Sequence, residues 1–428
     1  MLEFLRDIFT GINGALDVLL SEALNLPPAA VLGIQNLLGV MVVSGFGLVL
    51  VIFTIWIERK VAGRMQDRFG PNRVGPYGLF QSVADALKMI SKETITPDGA
   101  DVVVYNIAPL LAVIAVLAIW AVVPFARTAI GTDLSIGALY FVAVSGLGTL
   151  AVIMAGWSSN NKYALLGAFR AVAQLISYEV PLILMLLVPV LLAGSMRMNE
   201  IVQAQSIWFV VMAPIPALVF FISNQAETGR TPFDLLEAES EIVAGYHVEY
   251  SGMMFGMFML SEFLHSFTIS ALVATLFFGG WRGPGAASIP TLGFVYFMAK
   301  TFLIYFVTMW VRFTVPRIRI DQLMAFNWKF LVPVSLATMV VIPLVDKIAR
   351  EIRIGGAPIY TVPDLATLQN MTALESIRVS LPRAGVLLVT NLVLGLVVFA
   401  ILAQAARRQR EAFEAGLEAE PAAAGAGD

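Results

Sequence analysis

Nine apolar runs, most of them about twenty residues or longer, divide the chain at 34–57, 104–124, 134–157, 164–193, 206–226, 251–278, 292–314, 328–346 and 384–405. At about 1.5 Å of rise per residue, a run of this length matches a hydrocarbon core about 30 Å thick. Inside lipid each backbone N–H and C=O has to be satisfied within the protein, which leaves helices or closed barrels. None of the runs alternates apolar and polar residues as a barrel strand does, so all nine are expected as helices. The fold class that follows is all-α, a polytopic membrane helix bundle with additional amphipathic interfacial helices. Composition agrees, with 58% hydrophobic and 13% charged residues, against about 45–50% and about 25% in soluble domains.

Charge placement orders the segments. Residues 1–26 carry charges at both ends of an amphipathic pattern and are expected to lie at the interface, not to be cleaved as a leader. With the N-terminus outside, the inner connections hold 16 Lys and Arg against 9 on the outer side, which sets the C-terminus inside. The expected organisation is a membrane domain over 27–346, an external connection over 347–383, an extra span at 384–405 and a low-complexity, disordered tail at 406–428.

The chain has no cysteine, which removes thiolate nucleophiles, disulfides and cysteine-ligated iron–sulfur clusters, and only His247 and His265 could serve a haem or a metal. No EF-hand-like spacing is present, and no metal ligands are assigned.

Three stretches could carry chemistry. In the first inner connection Lys60, Arg64 and Arg68 recur every four residues, so a helix continuing past the membrane places them on one face. Gly70-Pro71, Gly75-Pro76 and Gly78 then impose turns, and an amphipathic segment follows with Phe80, Val83, Leu87 and Ile90 opposite Asp85, Lys88 and Lys92. This suits either a positive-inside anchor or an entrance where a lipid-soluble molecule with a polar head passes between bilayer and protein. Within the spans, Arg170, Glu179, Glu262, His265 and Lys300 are ionisable; each costs on the order of 2.5–3.5 kcal/mol at a helix centre and so marks either buried ion pairs or a proton relay. Finally, "TGRTPFDLLEAESEIVAGYHVEY" at 228–250 sets Asp234, Glu237, Glu239, Glu241 and Glu249 against Arg230, its only Lys or Arg. Its interleaved Phe233, Leu235, Leu236, Ile242, Val243 and Tyr246 are too apolar for a freely solvated loop, and crowded carboxylates titrate as a coupled set.

Taken together, "ERKVAGRMQDRFGPNRVGPYGLFQSVADALKMISKE", "FRAVAQLISYEVPL", "ETGRTPFDLLEAESEIVAGYHVEY" and "VRFTVPRIRIDQLM" make the chain resemble the H subunits of respiratory complex I, the proton-pumping NADH:quinone oxidoreductase. The likeness covers most of residues 40–345; the 347–383 connection, the ninth span and the tail depart from the core pattern. The resemblance implies a subunit of the bacterial-type cytoplasmic membrane that joins membrane and peripheral arms and forms most of the quinone-access chamber, without being catalytic alone. Quinone is then the substrate of the complex, while FMN and the iron–sulfur clusters sit in partner subunits; the expected neighbours are the quinone-site and iron–sulfur subunits, small membrane-arm subunits and antiporter-like subunits. By match to the family pattern, Arg59, Lys60, Arg64, Arg68, Asp85, Lys88, Phe233 and Arg312 belong to the chamber and its entrance. Arg170, Glu179, Glu227, Asp234, Glu237, Glu239, Glu241, Glu249 and Glu262 belong to a carboxylate path towards the antiporter-like subunits. Two other readings compete: the equivalent anchor of a membrane-bound hydrogenase or non-NADH dehydrogenase, and a free-standing ion transporter, for which the inverted repeat is missing.

Overall fold

The computed structural model describes residues 7–23, 27–234, 243–354, 357–364, 367–368, 371 and 373–424. Among these, eight helical stretches are long and apolar enough to cross a membrane. They are α2 (Pro28–Met65), α4 (Val102–Ile119), α5 (Gly137–Ser158), α6 (Lys162–Ala193), α10 (Gly252–Phe277), α11 (Pro290–Thr314), the α12–α13 pair (Ile320–Phe326 and Val332–Glu351, joined by a π turn) and α14 (Ala373–Ala424). Shorter pieces are α1 (Ile8–Val18), α3 (Gln81–Ser91), α7 (Met198–Ala204), α8 (Phe209–Met212) and α9 (Pro214–Glu227). A two-residue antiparallel pair, β1 (Arg353–Ile354) with β2 (Ala357–Pro358), pairs Arg353 with Pro358 and Ile354 with Ala357.

Local chemistry sets the helix ends. The Asn161 side chain accepts from Tyr163 N at 2.9 Å to start α6, and Gly194, at φ 71, ends it in the left-handed region that glycine adopts freely. α6 and α10 form the centre of the bundle: 61% of the most apolar window of each is buried, against 11% for α14, which faces outward for most of its length. The main core packs Tyr178, Leu182 and Met185 of α6 with Phe220 of α9 and with Leu272 and Phe277 of α10. In its described part the N-terminal segment is α1, capped by Asp7 and tied to α11 through Phe9 against Phe294 at 5.8 Å.

Three sequence expectations change. The run at 206–226 is not one helix but α8 and α9, broken at Ala213 (φ −138, ψ 65). Pro214 and Pro216 cause the break, because neither offers an N–H to the turn before it. The stretch read as a low-complexity tail continues α14 as helix to Ala424, in keeping with its Ala and Glu content. The same helix begins at Ala373, eleven residues before the span read from hydropathy, so the 347–383 connection is shorter than expected.

Proline also explains three long-range hydrogen bonds. Pro109, Pro181 and Pro216 strip the helical donor from the carbonyls four residues earlier, Tyr105, Ser177 and Met212. Each carbonyl is served by a side chain from elsewhere: Tyr250 Oη donates to Tyr105 O at 3.1 Å, Asn327 Nδ2 to Ser177 O at 2.6 Å, and Asn391 Nδ2 to Met212 O at 2.9 Å. In an apolar medium an unserved carbonyl costs several kcal/mol, so these contacts make the irregular backbone tolerable.

Candidate functional site

Two linked regions assemble at the end of α2 that carries the 58–103 connection. α2 spans 38 residues, about 57 Å at about 1.5 Å per residue, well beyond the hydrocarbon core. It stops at Met65 and the chain reverses through Asp67 at φ 52, a left-handed conformation that Asp tolerates better than most side chains. Lys60 and Arg64 therefore share the helix, but Arg68 leaves that face and donates to Gln66 Oε1 at 2.7 Å, against the single-face expectation. The returning loop presses on the helix where both partners lack side chains: a Cβ on Gly63 would lie 2.7 Å from Gly70 N, and one on Gly70 would lie 2.8 Å from Arg59 O.

This fold-back borders an open cleft of about 780 Å³ lined by Arg59, Arg68, Phe69, Pro71 and Gln81 among others. At its rim Arg59 Nη1 pairs with Asp85 Oδ2 at 2.5 Å, and Gln81 Nε2 donates to Asp85 Oδ1 at 3.2 Å. Partial burial pushes the Asp85 carboxyl up, but the hydrogen bonds from Arg59 and Gln81 outweigh it and hold it below the usual aspartate value. α3 presents Phe80, Val83, Leu87 and Ile90 outward, as an interfacial helix should, while Arg64 and Lys88 stay exposed nearby.

The second region is buried. Arg230, 1% exposed, reaches Glu58 Oε2 at 2.5 Å and Glu262 Oε1 at 3.4 Å, with its guanidinium 4.6 Å from the Phe263 ring centroid. Arg312 pairs with the other Glu58 oxygen, and Tyr305 Oη donates to Glu58 Oε2 at 3.3 Å. Burial works against the Arg230 cation, but the Glu58 and Glu262 charges outweigh it and keep its pKa above the ordinary arginine value. Four segments thus meet on one ion cluster: α2, the start of the acidic loop, α10 and α11.

The other expected residues divide. Glu227 at the end of α9 lies 3.8 Å from His265 Nε2, and Glu179 of α6 is close enough to act on Glu227 electrostatically. Phe233 packs on Tyr178 at 5.6 Å, and its carbonyl and that of Ala226 both accept from Gln174 Nε2 at 2.7 Å. Asp234 pairs with Arg317 at 3.1 Å, and Arg170 sits half-buried one turn before Gln174. Glu249 does not join this group; its Oε1 accepts from Asn161 Nδ2 at 2.6 Å, beside the start of α6. Lys300 is likewise apart, donating to the Gly280 and Arg282 carbonyls at 2.9 and 2.7 Å in the connection at the far end of α10. Glu237, Glu239 and Glu241 lie outside the described residues.

Sequence reasoning missed Glu58 and Tyr305. Glu58 stood in the quoted "ERKVAGRM", but ending the span at residue 57 assigned it to the solvated connection. Its signal is position: one residue before Arg59 on a continuous helix, about 100° round, it turns inward when Arg59 turns out.

The NADH dehydrogenase family model matches residues 38–343. Similar proteins include the H subunit of the NADH-quinone oxidoreductase of Dehalococcoides mccartyi strain CBDB1, 49% identical over 319 residues, 74% of this chain and 89% of that one. The NADH-quinone oxidoreductase H subunit of Brevibacillus brevis is 52% identical over 298 residues (69% and 87% of the two chains), and that of Anoxybacillus flavithermus 48% over 315 residues (71% and 93%). These relatives match the first of the three sequence readings, and neither of its competitors. A helical membrane bundle with this motif order, matched by that family over most of its length, belongs to the NADH dehydrogenase family, among the H subunits of NADH-quinone oxidoreductase.

Proposed function

We propose that this subunit lines the path by which quinone reaches its reduction site and carries the first carboxylates of a proton route coupled to that reduction. The observation that carries the reading is the last stretch of α2. Arg59 faces the cleft rim and Asp85, while the adjacent Glu58 faces Arg230, Arg312 and Tyr305 in the bundle. One rigid helical turn therefore serves both regions, and a group that draws on Arg59 at the rim also acts on the buried cluster.

The carboxylates we infer for the route run from Glu58 to Glu262, between which Arg230 sits as a fixed cation that holds no exchangeable proton, and on to His265, Glu227 and Glu179. Asn224, Gln225 and Ser266, whose side chains have no hydrogen-bond partner within the protein, border a void of about 10 Å³ next to this route. That is close to the space one water occupies, and a polar lining suits it. Lys60, Arg64, Arg68 and Lys88 supply positive potential at the mouth, and Asp234 with Phe233 anchors the acidic loop. In this reading the reduction itself occurs in partner subunits holding FMN and iron–sulfur clusters, the mouth and acidic loop face the cytoplasm, and the N-terminus lies outside a bacterial cytoplasmic membrane.

The test is Arg59→Ala in assembled complex reconstituted into vesicles. Reduction of long-tailed quinone should slow several-fold, the scale of a half-exposed charged contact worth about 1 kcal/mol, while NADH oxidation by an artificial acceptor persists. Equal loss of both rates would overturn the assignment of Arg59 to the quinone path.

A further inference from the structure

α14 lies wholly beyond residue 343, where the family match ends, and most of its surface faces outward. Its few buried polar groups are therefore informative. Asn391 is 1% exposed and its Nδ2 donates to Met212 O at 2.9 Å, the carbonyl that Pro216 leaves without a helical donor. Gly395, one turn later, lets the helix approach Ile215, whose Cδ1 would lie 3.6 Å from an added Cβ. At the other end Arg383 donates from Nη2 to Leu192 O at 2.8 Å. Leu192 is the last residue but one of α6, so its carbonyl lacks an intrahelical partner as well. Arg383 is held in turn by Asp346 of α13 through bonds of 2.8 and 3.0 Å, and Tyr360 Oη adds 2.8 Å to the same carboxylate.

Both carbonyls served by α14 belong to elements that carry site residues. α6 holds Gln174, Tyr178 and Glu179; the broken α8–α9 pair ends at Glu227, three residues before Arg230. We propose that α14 is a built-in brace for the broken span, and that Asn391 is a positioning residue which fixes α9, and through it Glu227 and Arg230, in place for coupling. The brace acts by hydrogen bonding, since the α8–α9 break leaves no backbone donor for Met212 in its own segment. The functional half of the proposal rests on the reading that Glu227 and Arg230 belong to the proton route.

The experiment compares assembled complexes carrying Asn391→Leu, which keeps the volume and removes the donor, and Asn391→His, whose Nδ1 can donate from the place of the Asn391 Nδ2. Two readouts are taken: amide hydrogen exchange across residues 209–234, and quinone turnover against artificial-acceptor turnover. In Asn391→Leu, exchange in that window should rise about tenfold, the scale of a buried carbonyl losing its donor. Quinone turnover should fall several-fold with acceptor turnover unchanged, and in Asn391→His exchange and quinone turnover should both lie nearer wild type. Unchanged exchange in Asn391→Leu would overturn the brace. Raised exchange with wild-type quinone turnover would overturn the positioning role, provided that Glu227→Gln impairs turnover in the same assay. If Glu227→Gln is itself silent, the proton-route reading fails and takes the positioning role with it.

Discussion

Replacing Glu58 by Gln keeps the side-chain volume but removes one negative charge from a pocket that holds two guanidinium groups. Breaking a buried pair by deleting one partner typically costs about 3–5 kcal/mol, because the remaining charge stays desolvated. Here two features pull the value to the lower end. Arg230 keeps Glu262 at 3.4 Å, and Arg312, whose side chain is 28% exposed, can turn to water. The expected loss is therefore about 3 kcal/mol, roughly a hundredfold in the local equilibrium. Arg312→Gln is the matched control: it removes a cation but leaves Glu58 paired with Arg230, so about 1 kcal/mol is expected. The assay is the yield of assembled complex and the midpoint of thermal inactivation of quinone turnover for wild type, both single variants and the double variant. The double variant should be better than the sum of the singles, since it removes the surplus charge that makes Glu58→Gln harmful. If Glu58→Gln is as mild as Arg312→Gln, or the two effects simply add, the four-segment ion cluster is not the unit described.

At the cleft rim, a carboxyl held below its usual value contributes above its unfolded pKa and loses that contribution only as pH falls through the folded value. Asp85 should therefore support quinone binding evenly from pH 5 to 8; because Arg59 is 47% exposed, Asp85→Asn should cost no more than about 1 kcal/mol, screened by salt, as measured by quinone KM against pH and ionic strength. His247 behaves differently: burial holds its imidazole below the ordinary value of 6.5, with Glu262 only partly opposing. A depressed base takes up fewer protons folded than unfolded, so its contribution is intact above 6.5 and lost as pH falls below it; the inactivation midpoint should drop between pH 7.5 and 5.5, and drop less in His247→Gln. Gly63→Ala, which would place a methyl group 2.7 Å from Gly70 N, should loosen the fold-back by about 1–3 kcal/mol and raise quinone KM, with artificial-acceptor activity unaffected.

Apolar runs made the helices legible because burial in lipid is a property of a segment, summed over about twenty residues. The exception at 206–226 was also written in the sequence, in Pro214 and Pro216, but an average over the window conceals a missing N–H. Part of the charge placement was legible: the pattern set Arg230 amid carboxylates, while Arg59 came only from the likeness to a family, and the structure sets it against Asp85. Its pairings were not. Arg230 and Glu58 lie 172 residues apart, and which carboxylate meets the arginine depends on helix rotation at the end of α2. Glu249 shows the converse: it shares the quoted stretch with Arg230, yet its carboxylate accepts from Asn161 at the start of α6.

The Asn391–Met212 bond joins positions 179 residues apart, and this separation sets a schedule for biogenesis. At about 5–20 residues per second of synthesis, the Met212 carbonyl waits about 9–36 s between emerging and meeting its donor. During that interval the Met212 carbonyl lacks the Asn391 donor that serves it in the folded chain. A chain cut short before α14 stays permanently in that state. The bond thus ties the α8–α9 break to a helix that is synthesised long after it.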